Sequence, residues 1–190
     1  MDRGRAQRRH HVQCGAECIG GDEALNIALY GFMGVGKTTI GKLLAERLGY
    51  TFIDMDDEIE KMAGMSISEI FTRLGEPSFR QMESKLIEDL SRKDGYVIAC
   101  GGGAIANPYN AKRLSASAGM VYLTAQVDEI IKRTSVDNSR PLLNVPNPHE
   151  VASSLLADRE PTYKRYADII VDTTGFTPEE VVSAILEAIR

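Results

Sequence analysis

The most constraining feature of the sequence is the segment Gly31-Phe32-Met33-Gly34-Val35-Gly36-Lys37-Thr38, in which four residues separate the first glycine from a glycine-lysine-threonine triplet. The apolar run 26–30 before it predicts a buried strand. Residues 37–48 after it have apolar side chains at helical spacing. A loop of this spacing between a strand and a helix surrounds phosphate oxygens with backbone N–H groups at the positive end of the helix dipole. The sequence therefore predicts a phosphate-binding loop for ATP.

Strand and helix patterns alternate along the rest of the chain. Strands are predicted at 26–30, 51–54, 96–100, 120–123 and 169–172. Helices between consecutive strands favour parallel pairing with right-handed crossovers. We therefore expect an α/β fold, a three-layer α/β/α sandwich with a five-stranded parallel sheet. Ligands are expected at the carboxyl ends of the strands.

Residues 1–23 differ in composition from the remainder, so we expect a disordered tail followed by one domain at 24–190. The tail begins with an arginine-rich stretch and contains no apolar segment of the kind a secretory signal has. His10, His11, Cys14 and Cys18 offer the alternative of a metal site. Their spacing matches no common zinc pattern, which favours the tail.

The overall charge and the cysteine content restrict the class of protein. A net charge of −5 argues against nucleic acid as the main partner. No apolar run approaches the roughly 18 residues that a membrane-spanning helix needs. The three cysteines form no disulfide framework, so a reducing compartment, the cytoplasm, is expected.

The segment Asp54-Met55-Asp56 follows the second predicted strand. Alternate residues of an extended segment share a face, so both carboxylates can point the same way. One carboxylate near Mg²⁺ and one near an acceptor hydroxyl would serve phosphoryl transfer to an alcohol. The alternative is the acidic start of a helix, because Asp57 and Glu58 follow.

Two further segments point to an anionic ligand. Arg80 and Glu83 are three residues apart on a predicted helix, where a glutamate can orient an arginine for bidentate binding of an anion. A surface ion pair is the alternative. The glycines Gly101–Gly103 directly follow the third predicted strand, where backbone N–H groups could meet a ligand. A flexible turn is the alternative there.

Together with the phosphate-binding loop, these features resemble the shikimate kinase family, from about Leu25 to the C-terminus. The family pattern stands here as GFMGVGKTTIGKLLAERLGY, FIDMDDEIE, GEPSFRQME, ACGGGAI, RPLL and DREPTYKRYAD, in the family's order and spacing. The resemblance implies transfer of the γ-phosphate of ATP to the 3-hydroxyl of shikimate, within chorismate and aromatic amino acid biosynthesis. It also implies Mg²⁺ as cofactor and a monomeric enzyme.

The resemblance implies roles for individual residues. Lys37, Asp56 and Arg140 would be catalytic, with Asp56 orienting or deprotonating the reactive hydroxyl. Arg140 would belong to a mobile lid at 134–148. Thr38 and Asp54 would hold Mg²⁺. The nucleotide would contact Gly34, Val35, Gly36, Lys37, Thr38, Thr39, Arg133 and Arg140, with Arg133 against the adenine. Shikimate would contact Asp56, Arg80, Gly101, Gly102, Gly103 and Arg159, with the two arginines on its carboxylate.

Two other functions remain open at this point. One is a kinase for gluconate or a related polyol acid, which would use the same phosphate-binding loop and an acid-binding arginine. Asp56, Arg80 and Gly101–Gly103 together favour shikimate instead. The other is a protein that binds these ligands without catalysis. The presence of all three expected catalytic residues, Lys37, Asp56 and Arg140, argues against a protein without catalytic activity.

Overall fold

The computed structural model describes the backbone of Val12–Cys14, residues 25–134 and residues 146–189. In chain order, its strands and helices are β1 (Val12–Cys14), β2 (Asn26–Gly31), α1 (Lys37–Leu48), β3 (Thr51–Asp54), α2 (Met55–Ala63), α3 (Ile67–Leu90), β4 (Tyr96–Ala99), α4 (Pro108–Ser115), β5 (Ala118–Thr124), α5 (Val127–Thr134), α6 (Pro148–Arg165), β6 (Ile169–Asp172) and α7 (Pro178–Ala188). A short 3₁₀ turn, Ala104–Ala106, precedes α4. The helices α2 and α4 were not assigned from the sequence, although Asn107-Pro108 is a typical helix start.

One sheet runs through the molecule in the order β1-β6-β5-β2-β4-β3. Strands β2 to β6 pair in parallel, which confirms the predicted five-stranded parallel sheet. Strand β1 pairs antiparallel with β6 at one edge. This strand could not be predicted from the sequence, because three residues carry too little pattern to indicate an edge pairing. The rest of the N-terminal stretch lies outside the described residues, so the boundary between tail and domain stays a prediction.

Both faces of the sheet are covered. Along β2, Ala28 and Tyr30 belong to one apolar cluster, which includes side chains of α2, α3 and α4. Ile27 and Leu29 belong to a second cluster on the other face, with side chains of α1, α5 and α7. This two-sided burial is the reason that β2 reads as a continuous apolar run rather than as an alternating one.

The strand order decides where a ligand can bind. The chain moves from β2 outward to β3, returns to β4 beside β2, and then places β5 on the opposite side of β2. In a parallel sheet such a reversal opens a crevice at the carboxyl ends of the strands. The segments that directly follow β2, β3 and β4 all lie at this edge, and they carry Lys37, Asp56 and the glycines Gly101–Gly103.

Helix α3 contains a break at Gly75, whose φ of 79° and ψ of 164° are not helical. The first half of the helix opens at a capping box of Ser66 and Glu69, in which Ser66 N donates to Glu69 Oε2 at 3.0 Å. No helix in the described part of the chain has the length and apolar character that crossing a membrane would demand.

Candidate active site

The phosphate-binding loop has the backbone that its glycines predict. Gly31, Gly34 and Gly36 have φ values of 142°, 78° and 99°. A Cβ on Gly31 would lie 2.1 Å from the carbonyl oxygen of Leu123 on β5, so only glycine lets the loop leave β2 at this point. Gly36 is the N-cap of α1 and provides no side-chain cap. Backbone N–H groups at the start of α1 are therefore available to an anion.

Lys37 and Thr38 stand where the loop enters α1. The Lys37 ammonium donates to the carbonyl oxygens of Gly31 and Phe32, both at 3.1 Å, so it lies within the curve of the loop. The Thr38 hydroxyl donates to Asp54 Oδ2 at 2.7 Å. The loop after β2 and the end of β3 are thus joined through two oxygen-bearing side chains.

The structure corrects the expected geometry of the two aspartates. Asp54 ends β3 and is the N-cap of α2, accepting from Asp56 N at 3.1 Å, while Asp56 lies in the first helical turn. The expectation that they alternate along an extended segment is therefore wrong. Acidic side chains are favourable at a helix N-terminus, and here that local preference prevails. A helix start at this position is still compatible with a phosphoryl-transfer site, since both carboxylates remain at the crevice.

Arg80 is held from two sides on α3. Its Nη1 donates to Glu83 Oε2 at 2.6 Å, which confirms the predicted contact. Its Nε and Nη2 donate to Glu76 Oε1 at 3.1 and 2.9 Å, a contact that the four-residue spacing on a helix allows but that was not predicted. Glu83 is only 1 % exposed, so this is not a simple surface pair.

The electrostatics of this pair follow from burial. Burial raises the pKa of Glu83, and the hydrogen bond and charge of Arg80 only partly oppose that effect. Burial acts to lower the pKa of Arg80, but the hydrogen bonds and charges of Glu83 and Glu76 leave it raised overall. The guanidinium therefore stays positively charged and is fixed in orientation.

The glycine turn Gly101–Gly103 is the point at which the predicted acceptor-site residues meet. A Cβ on Gly103 would lie 2.6 Å from Arg80 Nη1, and one on Gly102 would lie 3.4 Å from Arg159 Nη1. A Cβ on Gly101 would lie 2.9 Å from Asp56 Oδ1. Two arginines and a carboxylate from three different helices therefore surround one short turn after β4.

Arg159 reaches the site from α6. Its Cζ lies 5.9 Å from the centroid of the Phe32 ring in the phosphate-binding loop, and its Nη1 lies 3.5 Å from the carbonyl oxygen of Gly102. The contact with Phe32, which the sequence analysis did not foresee, joins the donor and acceptor halves of the site.

Arg133 lies beside the phosphate-binding loop. Its guanidinium donates to the carbonyl oxygen of Gly34 at 3.4 Å and to both oxygens of Thr173, Oγ1 at 3.0 Å and the carbonyl at 2.8 Å. The side chain of Val35 is buried in the core, so it can contribute to nucleotide binding only through its backbone. Thr39 is in the first turn of α1.

The predicted lid arginine, Arg140, lies outside the described residues, as does most of the expected lid at 134–148. Thr134 belongs to α5, and Pro148 begins α6.

One buried thiol lies near the site. Cys100 precedes the glycine turn, and burial raises the pKa of its thiol to about 12. The thiol therefore stays protonated at physiological pH and is a poor nucleophile.

This combination of features defines the class of protein. A phosphate-binding loop faces a crevice that offers cations for an acid and a carboxylate for a hydroxyl. The class is a P-loop kinase that acts on a small acid.

Comparison with known proteins identifies the family. Residues 33–190 match the shikimate kinase family. The chain is 46 % identical over 162 residues to the shikimate kinase of Thermodesulfovibrio yellowstonii, covering 85 % of this chain and 93 % of that relative. It is 45 % identical over 166 residues to the shikimate kinase of Pseudomonas aeruginosa, with 87 % and 96 % covered. The chain therefore belongs to the shikimate kinase family and is an ATP-dependent kinase.

Solved structures agree with this assignment. The shikimate kinase from Acinetobacter baumannii in complex with shikimate superposes with a TM-score of 0.77 at 39 % identity, covering 86 % of this chain and 91 % of that one. A gluconokinase from Sinorhizobium meliloti reaches a TM-score of 0.57 at 19 % identity, which shows only the common fold. The family match thus favours shikimate over gluconate among the alternatives that the sequence left open.

Proposed function

We propose that the protein transfers the γ-phosphate of ATP to the 3-hydroxyl of shikimate at the glycine turn Gly101–Gly103. The observation that carries this proposal is the convergence of Arg80, Arg159 and Asp56 on that turn. Shikimate is a polyhydroxylated acid, so it needs cations for its carboxylate and an acceptor for the proton of the reacting hydroxyl. The crevice offers both beside the phosphate-binding loop.

On the donor side, the backbone N–H groups of residues 34–39 would bind the phosphates of ATP. The Lys37 ammonium would exchange its carbonyl partners for oxygens of the β- and γ-phosphates and so stabilise the charge that develops during transfer. Arg133 would lie against the adenine, a position that its contacts with Gly34 and Thr173 support. Arg140 would meet the phosphates from the lid.

The residues at the end of β3 fit Mg²⁺. Thr38 and Asp54 present a hydroxyl and a carboxylate oxygen 2.7 Å apart at the phosphate-binding loop, and oxygen atoms are the ligands that Mg²⁺ prefers. Thr38 and Asp54 would hold the ion at this position. When bound, Mg²⁺ would neutralise charge on the β- and γ-phosphates.

On the acceptor side, Arg80 and Arg159 would pair with the shikimate carboxylate and fix the ring. Asp56 would accept a hydrogen bond from the 3-hydroxyl and take its proton as the oxygen attacks the γ-phosphate. Gly102 and Gly103 would contact the ring hydroxyls. Glu83 and Glu76 hold Arg80 in its orientation, so little side-chain freedom has to be lost when the carboxylate binds.

We also propose that the enzyme works as a monomer in the cytoplasm, with ATP and shikimate as its partners and neither nucleic acid nor membrane among them. The acidic net charge of −5 supports the exclusion of nucleic acid. A free, buried Cys100 is compatible with a reducing compartment.

A coupled assay for ADP release tests the proposed reaction. With Mg²⁺ and ATP present, shikimate should support turnover, and gluconate and other sugar acids should not. Phosphorus and proton NMR of the product should place the phosphate on the 3-hydroxyl. Absence of shikimate-dependent turnover by folded protein would contradict the proposal.

The glycine turn provides a second test. We expect Gly103→Ala to raise the KM for shikimate about tenfold, because the new Cβ must displace the Arg80 guanidinium. The displaced guanidinium also neutralises the buried Glu83, so the free energy of unfolding should fall as well, but by less than in a variant that loses the Arg80 side chain entirely. Steady-state kinetics and thermal unfolding measure the two effects.

The same experiment contains its own control. The KM for ATP should not change in Gly103→Ala. In an Arg80→Ala background, the glycine substitution should have no further effect on the KM for shikimate. An equal additional effect without Arg80 would show that the alanine acts on the substrate directly.

A further inference from the structure

The catalytic roles proposed above do not use Tyr163, a buried tyrosine on α6. Tyr163 is four residues after Arg159, one helical turn further along, and its side chain is 1 % exposed. Its hydroxyl donates to the carbonyl oxygen of Gly102. Its own backbone carbonyl accepts from the Tyr30 hydroxyl at 2.9 Å. Tyr163 therefore joins α6 both to the glycine turn and to β2, the strand that leads into the phosphate-binding loop.

The ring of Tyr163 is fixed by two other tyrosines. Its centroid lies 5.8 Å from that of Tyr30 and 5.3 Å from that of Tyr122, and the Tyr30 and Tyr122 centroids are 5.7 Å apart. Tyr30 and Tyr122 lie on the adjacent strands β2 and β5. Such contacts hold a ring in one orientation within a packed core. The Tyr163 hydroxyl is thus presented to the glycine turn from a rigid support.

Helix α6 has few other anchors. Among its described residues only Ala152 and Tyr163 are buried, and Ala152 lies two turns before Arg159. Near the start of the helix, His149 forms an ion pair with Asp128. Both side chains are exposed, so the pair contributes little to stability. Leu155 and Leu156 are partly buried against the core, and in the half of α6 that carries Arg159, Tyr163 is the fully buried residue that packs against the sheet.

Arg159 and the Tyr163 hydroxyl approach the same carbonyl oxygen. The Arg159 Nη1 is 3.5 Å from the Gly102 oxygen, which is too long for this contact alone to fix the guanidinium. Burial raises the pKa of Tyr163, and the nearby positive charge of Arg159 opposes this rise. The hydroxyl therefore stays protonated and donates to the carbonyl oxygen of Gly102, which the guanidinium also approaches.

We propose that Tyr163 is a positioning residue for shikimate, because its hydroxyl fixes Arg159 relative to the carbonyl of Gly102. This inference rests on the proposed role of Arg159 in binding the substrate carboxylate. The Phe32 ring also contacts the guanidinium, at 5.9 Å, but the Tyr163 hydroxyl is the group that links this part of α6 to the glycine turn. Without it, the guanidinium keeps its charge but loses the fixed geometry that bidentate pairing requires.

The test is Tyr163→Phe, which removes the hydroxyl and keeps the ring. We expect the KM for shikimate to rise about tenfold, while kcat and the KM for ATP change less than about threefold. The matched control is Tyr122→Phe in the same ring cluster. Within the described residues, the Tyr122 hydroxyl makes no hydrogen bond to the glycine turn, so the KM for shikimate should be that of the wild type. A loss of stability alone would lower the melting temperature without this selective change in KM.

A double-mutant cycle with Arg159→Ala shows whether Tyr163 acts through Arg159. Arg159→Ala should itself raise the KM for shikimate, and adding Tyr163→Phe should raise it no further. If the two substitutions raise the KM for shikimate additively, the positioning role is wrong. It is also wrong if Arg159→Ala raises the KM for shikimate and Tyr163→Phe leaves it unchanged. An unchanged KM in Arg159→Ala would instead overturn the proposed carboxylate site. If Tyr163→Phe does not fold at the assay temperature, the same cycle is measured at a lower temperature, with the same expectations.

Discussion

Asp56→Asn should lower kcat by about 10³-fold, within the range of 10²–10⁴ that a general base contributes. The amide has nearly the shape of the carboxylate but cannot take a proton from the attacking hydroxyl. Asp56 lies in the first turn of α2, with its Oδ1 directed at the glycine turn. The substitution removes one charge at a partly exposed position, so the fold and the nucleotide site should be retained.

Three measurements separate the roles that Asp56 could have. Steady-state kinetics give kcat, calorimetry gives the affinity for ATP with Mg²⁺, and thermal unfolding reports on the fold. The matched control is Asp57→Asn, which removes the adjacent, exposed carboxylate of the same helical turn. The control should keep wild-type turnover. A fall in kcat of less than tenfold in Asp56→Asn would show that Asp56 orients the hydroxyl without acting as its base.

Arg80→Ala should have the second large effect, because it acts on both substrate binding and stability. It removes one of the two cations proposed for the shikimate carboxylate, so the KM for shikimate should rise about 10²-fold. It also leaves the buried carboxylate of Glu83 without its cation. Breaking a buried pair costs roughly 3–5 kcal/mol. We expect about 3 kcal/mol, since the Arg80 side chain is 35 % exposed and water can reach its place.

The stability effect should depend on pH in a defined direction. Burial already raises the pKa of Glu83, and Arg80→Ala removes the partner that opposes this rise. Below its ordinary pKa of 4.5, Glu83 is protonated in both the folded and the unfolded state, and the variant has no charge to bury. As the pH rises towards the folded-state pKa, only the unfolded state ionises readily, so the folded state loses stability. The difference from the wild type in free energy of unfolding should therefore grow from pH 5 to pH 8.

A second substitution distinguishes stability from binding. The double variant Arg80→Ala/Glu83→Gln replaces the buried charge by a neutral amide, so most of the lost stability should return. The KM for shikimate should remain high, because the cation is still missing. Urea unfolding across the pH range and kinetics at pH 7.5 provide the two readouts. A stability difference that is independent of pH would contradict the account of Glu83 as the source of the effect.

Features contained within a few consecutive residues could be predicted from the sequence. The phosphate-binding loop is one, because strand, turn and helix start follow each other between residues 26 and 48. The capping boxes at Ser66 and Thr177 are others, because a serine or threonine three residues before a glutamate is typical of a helix start. Apolar periodicity was sufficient for the five parallel strands. Family resemblance provided the identities of the acceptor-site residues, but not their arrangement.

Where local preferences competed, the sequence was ambiguous or silent. Asp54 and Asp56 were compatible with a strand or with a helix start, and the structure has the helix. The edge strand β1 pairs with β6 at the other end of the chain, and no local pattern announces it. The contact of Glu76 with Arg80 was available from helical spacing and was overlooked.

The sequence by itself thus determined the donor half of the site, the phosphate-binding loop from Gly31 to Thr38. Only the tertiary structure decided how the acceptor half is assembled. Arg80, Arg159 and Asp56 come from three helices and meet at the glycine turn because the strand order places β4 beside β2. The same packing places the Tyr163 hydroxyl on Gly102, 61 residues away in sequence. Backbone preferences act over a few consecutive residues, whereas these contacts depend on which strands are neighbours in the sheet.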